Sequence, residues 1–478
     1  MSHCTRHEVY ESPFTARYCS PELSHLFSQK WRISTFRKLW VSLAKAQKNL
    51  GLAISLEQIQ QMEAKVLEIN FDLVHSYEKT LRHDVMAHIH AFGDQCPLAK
   101  PIIHLGATSS FVTDNTDLIQ LKSALILLFH KLLYAIELIA QLAQDKASDL
   151  CLSYTHYQPA QPTTIGKRFC LWLQDLLLDA RDFRRLIDEI PFLGAKGATG
   201  TQASFLTLFQ NDGEKVIELE KQIARDFSFH KILPISGQTY TRKIDVNILN
   251  ALESFASTAH KIATDFRLLA HDGQMLEPFG IKQVGSSAMP YKRNPIYCER
   301  ICGLARFAIS LAQNSAYTAA TQWLERSLDD SSNRRLSIPE MFLSVDAILN
   351  LLCHVFSHPH INAATSLALL EKQLPLLSME NILMEAVKKG GNRQSLHESL
   401  RTMTFSALTE ENPMEKLIQS IERDPSFQLS RSEIEKIAGA QQLIGRAPEQ
   451  VRFFLSSDVM PFLQEQKREK ISIPQVEI

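Results

Sequence analysis

Thr116 to Lys146 reads TDLIQLKSALILLFHKLLYAIELIAQLAQDK. Apolar residues fall at 118, 121, 125, 128, 132, 135, 139 and 142, the three- and four-residue steps of a helix. Leu125 to Phe129 and Leu132 to Ile136 carry apolar groups around much of the circumference. A helix apolar on several faces is buried on several faces. One protomer's bundle would struggle to cover them all, so the stretch predicts association of identical chains through this helix. The other reading is an internal helix of a large monomer. Lys122, His130, Lys131 and Glu137 interrupt the apolar run from Leu118 to Ala143, which argues against a membrane span.

The same spacing extends in both directions. Thr164 to Glu189, Gly213 to Phe227, Asp245 to His271 and Pro295 to Leu324 read as helices on the C-terminal side. Steps of three and four along the longest of them predict nearly parallel packing in a bundle. Upstream, helices are expected over Trp31 to Leu50, closed by Gly51, and over Phe71 to Phe92, ending at Gly93. A third covers Ser55 to Asn70, with Ser55 as N-cap and Gln58 three residues on. No alternating strand stands out. After His358-Pro359-His360 the pattern shortens, broken by Pro375, Gly390-Gly391, Pro413 and Pro425. The expected organisation is all-α: an N-terminal helical domain over 1–108, a central long-helix bundle over 109–361 and a C-terminal helical domain over 362–478. The tail from Gln464 is expected to be extended.

The bulk numbers agree. A chain of 478 residues suggests about three domains. It is 45% hydrophobic and 22% charged, ordinary for a soluble globular protein. A net charge of -1 gives no global field favouring nucleic acid or acidic membranes, so any anion site must be a local cluster of Arg and Lys. Eight cysteines are scattered without a Cys-x-x-Cys pair, and Cys298 and Cys302 read as helix packing residues. The N-terminus lacks the apolar region of a secretory signal. A reducing cytoplasmic compartment is expected.

Five stretches bear chemistry. Gly285 to Pro295 reads Gly-Ser-Ser-Ala-Met-Pro-Tyr-Lys-Arg-Asn-Pro. Pro290 and Pro295 bar a regular helix between them, leaving a loop between two long helices. Its hydroxyls at Ser286 and Ser287 and its donors at Lys292, Arg293 and Asn294 suit a carboxylate substrate; a solvated linker is the bland alternative. In Thr155-His156-Tyr157-Gln158-Pro159-Ala160-Gln161-Pro162-Thr163-Thr164, two prolines hold the chain out of helix and the threonines can cap the helix that follows. His156 is thereby expected at a fixed loop-to-helix junction, as an imidazole able to protonate a leaving nitrogen. Arg82-His83-Asp84-Val85-Met86-Ala87-His88 spaces its histidines poorly for metal ligation and reads equally as a surface helix with an ion pair. Thr108-Ser109-Ser110 and Thr113 to Asp117 read as caps for a helix at 116. Glu325 to Arg335 carries three arginines and hydroxyls that can hold a phosphate, or form an exposed charged loop. Gly194 to Thr201 lacks the order of a phosphate loop and is expected to be a turn lining the cleft.

The string Ser-Ser-Ala-Met-Pro-x-Lys-x-Asn-Pro closely resembles the signature of the fumarase/aspartase superfamily, and Tyr-Lys-Arg within it resembles the adenylosuccinate lyases. The resemblance covers nearly the whole chain, from Ala16-Arg17-Tyr18-Cys19-Ser20-Pro21 through Lys389 to Gln394 and His397-Glu398. It implies a three-domain fumarase/aspartase-like fold and a homotetramer whose sites each draw on three subunits. It implies cleavage of adenylosuccinate to AMP and fumarate, and of SAICAR to AICAR and fumarate, without metal or cofactor. In that family pattern Ser286 is the base, His156 the acid, Glu299 the carboxylate that orients the histidine, and Lys292 a partner for the carbanion. Substrate contacts fall on Arg17, Tyr18, Arg82, His83, Asp84, Thr108, Ser109, Gln238, Lys292, Asn294, Arg300, Arg326, Ser331 and Arg335. Nearer rivals are lyases acting on argininosuccinate or a cyclised muconate, which would not need the arginine-rich phosphate candidates. A non-catalytic structural relative is the other rival, and the intact His156, Ser286 and Lys292 argue against it.

Overall fold

The computed structural model describes residues 10–466. The N-terminal residues through Val9 and the extended tail expected near the C-terminus lie outside the described residues, although Gln464 itself falls in the last helix. The chain opens with a π-turn over Phe14–Tyr18, followed by α1 (Pro21–Leu26), α2 (Gln29–Asn49) and α3 (Leu56–Ala64). Ser55 and Gln58 form the expected capping box at the head of α3, but the helix stops at Ala64. The helix expected over Phe71 to Phe92 is two helices, α4 (Phe71–Leu81) and α5 (Asp84–Gln95). Arg82, with φ 50°, ends the first in a left-handed conformation, and the His83 side chain caps the second by accepting from Met86 N at 3.3 Å. No glycine or proline marks that break, so periodicity ran straight through it.

The long helices follow. α6 runs Ser109–Asp145, and α7 (Ile165–Glu189) follows a hairpin of β1 (Leu150–Thr155) and β2 (Gln158–Thr164). Then come α8 (Ala203–Leu208), α9 (Gly213–Asp226), α10 (Lys243–His271), a short β3 (Met275–Leu276), α11 (Ile296–Ala320) and α12 (Asp330–Ser357). α6 starts seven residues before the expected helix start at Thr116, so Thr113 to Asp117 lie inside it rather than capping it. Two of their side chains, Asp114 and Asp117, have other partners. Arg242 bonds Asp114 at 2.8 Å and Asp330 at 2.7 Å, and Arg334 bonds Asp245 at 2.7 Å and Asp117 at 3.0 Å. These pairs gather the N-terminal ends of α6, α10 and α12. At the opposite end, Trp172 of α7 donates to Asp265 of α10 at 2.9 Å, and the Tyr297 ring at the start of α11 sits 4.4 Å from that of His354 at the end of α12. α6, α10 and α12 therefore run one way, and α7 and α11 the other.

α6 and α12 are each long and apolar enough to cross a membrane, yet 61% and 83% of their apolar windows are buried inside the chain. Of the two stretches expected to need a second chain, Leu125 to Phe129 and Leu132 to Ile136, a single protomer covers most: only Tyr134 is exposed, and Ile126 and Leu127 are half-buried. Tyr134 on α6, Leu171 and Leu178 on α7, Leu268 on α10, and Phe307 and Tyr317 on α11 stay exposed.

β4 (His360–Ile361) pairs with β3, and α13 (Ala363–Leu377), α14 (Met379–Lys388), α15 (Arg393–Ala407), α16 (Pro413–Arg423) and α17 (Arg431–Ala438) follow. Residues of α14 to α17 bury their own apolar cluster, including Ile382, Leu396, Leu417 and Ile434. After α18 (Ala440–Leu443) the chain turns back: α19 (Ala447–Phe454), a π-turn and α20 (Met460–Glu465) place Val451, Val459 and Leu463 in the core of the bundle.

Candidate active site

His156 does not sit at a loop-to-helix junction. It occupies, with Tyr157, the two-residue turn of the β1–β2 hairpin, where Thr155 pairs with Gln158. Both turn residues have positive φ, 53° and 58°, the pairing that suits a tight hairpin turn. The prolines that concealed this strand, Pro159 and Pro162, are accommodated in a two-stranded ribbon with open edges. The expected cap does form at its end: Thr164 Oγ1 accepts from Lys167 N at 3.2 Å and starts α7. His156 is exposed at the tip.

The signature loop stands at the same end of the bundle, between α10 and α11. It is folded back on itself. Asn294 Nδ2 donates to the Gly285 carbonyl at 3.0 Å, and the Gly285 α-carbon lies so close to the Lys292 carbonyl that a β-carbon would sit 2.0 Å from its oxygen. Ser286 Oγ accepts from the backbone N–H groups of Ala288 at 3.3 Å and Met289 at 3.1 Å. Donors aimed at a hydroxyl oxygen favour its deprotonated form. Ser286 is half-buried, whereas Ser287, Lys292 and Arg293 are exposed. The base of the loop is tied by Glu277, whose carboxylate accepts from Tyr297 N at 3.0 Å and Cys298 N at 2.7 Å at the head of α11. Burial pushes the Glu277 carboxyl up, against these two amides, which favour the anion. The sequence reading missed Glu277; an acidic side chain just upstream of a helix that starts after a proline is the signal that could have found it. Glu299 lies exposed in the first turn of α11, and Arg300 beside it buries Nη1 without a protein partner.

The other end of the bundle holds a second group. Thr108 precedes the first turn of α6 and Ser109 starts it. Gln238 N donates to the Glu325 carbonyl at 3.1 Å, which fixes the segment before Arg326. Arg326 Nη1 and the neighbouring Ser327 Oγ are buried without a protein partner, an arrangement open to an anion. Ser331 and Arg335 lie in the first turns of α12 rather than in a loop, and Arg335 bonds Asp84 at 3.2 Å, bringing Arg82, His83 and Asp84 to this end. The third arginine of the stretch, Arg334, is buried in its pairs with Asp245 and Asp117 and is spent on structure. Gly194 to Gly197 packs inside the chain, with Lys196 paired to Glu220 at 3.0 Å.

Arg17 and Tyr18 form a third position. The Tyr18 carbonyl accepts from Asn350 at 3.1 Å, well along α12. α10, with 29 residues, is about 43 Å long. Within one protomer the sequence-derived residues are thus split between the two ends of the bundle and a point between them, rather than gathered around one cleft.

Residues 21–309 match the family described as Lyase, and residues 375–454 the one described as Adenylosuccinate lyase C-terminus. The chain is 47% identical to the adenylosuccinate lyase of Schizosaccharomyces pombe, over 97% of this chain and 98% of that one. It is 44% identical to the adenylosuccinate lyase of Saccharomyces cerevisiae, over 96% of each. Among solved structures, it resembles the 3-carboxy-cis,cis-muconate lactonizing enzyme of Pseudomonas putida with a TM-score of 0.83 at 22% identity, covering 94% of this chain and 99% of that one. A fumarate lyase of Mesorhizobium sp. BNC1 gives 0.80 at 19% identity, covering 94% and 100%. At those identities the two structures speak for the fold alone.

Proposed function

The chain belongs to the adenylosuccinate lyase family, and on that premise we propose that it eliminates fumarate from adenylosuccinate, and from SAICAR, with Ser286 as base and His156 as acid. The proton leaves the carbon next to a carboxylate and passes to Ser286 Oγ. The electron pair is held as a doubly charged aci-carboxylate, which needs fixed positive or N–H partners. Lys292, Asn294 and the loop backbone supply them. The C–N bond then breaks, His156 protonates the departing nitrogen, and fumarate and the nucleotide remain. Glu299 is assigned to orient His156, and Arg326, Ser331 and Arg335 to hold the phosphate.

The observation that favours Ser286 over Ser287 is the pair of backbone N–H groups on its hydroxyl oxygen. A serine is a weak base unless its anion is stabilised in a water-poor pocket, and closure of the loop over substrate would supply the second condition. The separation of the residue set along the bundle supports a site assembled from several copies. The exposed apolar side chains on α6, α7, α10 and α11 offer the surface on which copies would pack, as a homotetramer. A reducing cytoplasmic setting fits the seven described cysteines, all free thiols.

Ultraviolet-monitored turnover of adenylosuccinate, with fumarate quantified independently, tests the reaction: AMP and fumarate should appear in equal amounts. Mixing inactive His156→Ala with inactive Ser286→Ala, after dissociation and reassembly, tests the composite site. Recovered activity is expected if the two residues come from different copies. No recovery in reassembled mixed tetramers would place both in one copy and sink that part of the reading.

A further inference from the structure

Lys131 and Asp346 form an ion pair deep in the bundle, with side chains 4% and 0% exposed. An isolated charge pair is a costly way to fill an apolar core, and hydrophobic replacements of such pairs are often neutral or stabilising. This pair reaches beyond its own two helices. Asp346 Oδ2 accepts from the backbone N–H of Ser20 at 2.6 Å. One helical turn further along α12, Asn350 Nδ2 donates to the Tyr18 carbonyl at 3.1 Å, and its Oδ1 accepts from Lys131 Nζ at 2.8 Å. Asn350 Nδ2 also lies 3.3 Å from Asp346 Oδ2. Lys131 thus orients both side chains, and together they grip the backbone on either side of Cys19.

The gripped segment is the exit of the π-turn Phe14–Tyr18, in which Cys19 N returns to the Phe14 carbonyl at 2.9 Å. Single turns of π-helix are rare and are often found at functional sites. Here the turn has an apolar anchor, Phe14, packed 5.6 Å from the Phe307 ring, while Arg17 is exposed and Tyr18 half-buried. Tyr18 and Cys19 also pack against the core, and the polar grip just beyond Arg17 adds the hydrogen bonds that hold the backbone there.

We propose that Lys131, Asp346 and Asn350 are positioning residues for substrate binding: a buried polar clamp that sets the backbone register of Arg17 and Tyr18. The inference rests on the reading that Arg17 and Tyr18 touch substrate. The clamp itself touches none.

Three variants of the full-length protein test it, each assayed for kcat and KM with adenylosuccinate and for thermal midpoint. Lys131→Met/Asp346→Leu removes both charges together, and Asn350→Leu removes the bond to Tyr18 while leaving the charge pair. The third, Arg17→Ala, is also combined with each. The clamp variants should raise KM at least about tenfold with a much smaller change in kcat, the signature of lost ground-state binding. The charge-free double variant leaves Ser20 N and Asn350 Oδ1 buried without their partners and should lower the thermal midpoint modestly. In the Arg17→Ala background the same substitutions should raise KM by a smaller factor than in the parent, because one of the two contacts they position is already gone. A KM that stays within threefold in folded Asn350→Leu, or a defect that is fully additive with Arg17→Ala, overturns the clamp. If Arg17→Ala alone leaves KM unchanged, the failure lies with the assignment of Arg17. Should the double variant not fold, Asn350→Leu carries the test unaided.

Discussion

A β-carbon on residue 285 would lie 2.0 Å from the Lys292 carbonyl oxygen, a full ångström inside the closest separation such atoms tolerate. The obstacle is backbone, so no side chain can swing aside to make room. In Gly285→Ala one limb of the signature loop must therefore move by about 1 Å relative to the other, and displacements of that size at a reacting centre cost on the order of 10²-fold in rate. The moved limb carries Ser286 and its two N–H partners; the opposing limb carries Lys292 and Asn294, which bonds Gly285 itself. Because the loop is largely exposed and packs little apolar surface, the thermal midpoint should stay within about 2 °C, less than the shift expected for a loss of 1 kcal/mol in a smaller domain. Fumarate release at saturating adenylosuccinate measures kcat directly. A Gly285→Ala enzyme with kcat within threefold of the parent would refute the argument that close backbone contact sets the base. A large fall in midpoint would show that the loop supports the fold instead.

Other predictions concern the acid–base pair and the buried charges. His156→Ala and Ser286→Ala should each lower kcat by at least about 10²-fold, and Ser287→Ala by far less; equal losses at the two serines would remove the backbone amides as the discriminating feature. Arg242→Met leaves Asp114 and Asp330 buried without their shared cation and should cost about 3–5 kcal/mol at pH 8, read from urea denaturation. Burial already holds the Asp114 carboxyl above its ordinary range while Arg242 pulls it down. A carboxyl whose folded pKa is raised contributes stability at low pH and loses it as pH rises through that folded value. Removing Arg242 raises it further, so the deficit should shrink between pH 8 and pH 5.5. A deficit that grows on acidification would contradict this.

The helices were legible where one stripe of spacing faces one core. α7, α9 and α10 fall within a few residues of where periodicity places them, and the Ser55–Gln58 box announces α3. The misses share a cause: the deciding partner is distant in sequence. Asp114 and Asp117 have the composition of a cap, and Arg32, 85 residues before Asp117, together with Arg242 and Arg334, more than a hundred residues on, make them interior. Arg82 breaks a helix without glycine or proline. The hairpin was hidden by prolines that a two-stranded ribbon accepts. The candidate site residues stand in motifs legible from the sequence, but a motif carries no direction. That α6 and α11 run oppositely, sending Thr108 and Ser286 to opposite ends, is a property of packing. Lys131 registered in the sequence only as a flaw in an apolar run; its buried partners explain why a charge stands there.

The 37-residue α6 joins Ser109 at one tip to the His156 hairpin just past the other. If a complete site takes these tips from different copies, no chain owns an active site, and the catalytic unit is itself an equilibrium species governed by mass action. Specific activity would then depend on protein concentration, falling on dilution while helix content persists, and substrate, by bridging copies, would shift that balance toward the assembled form.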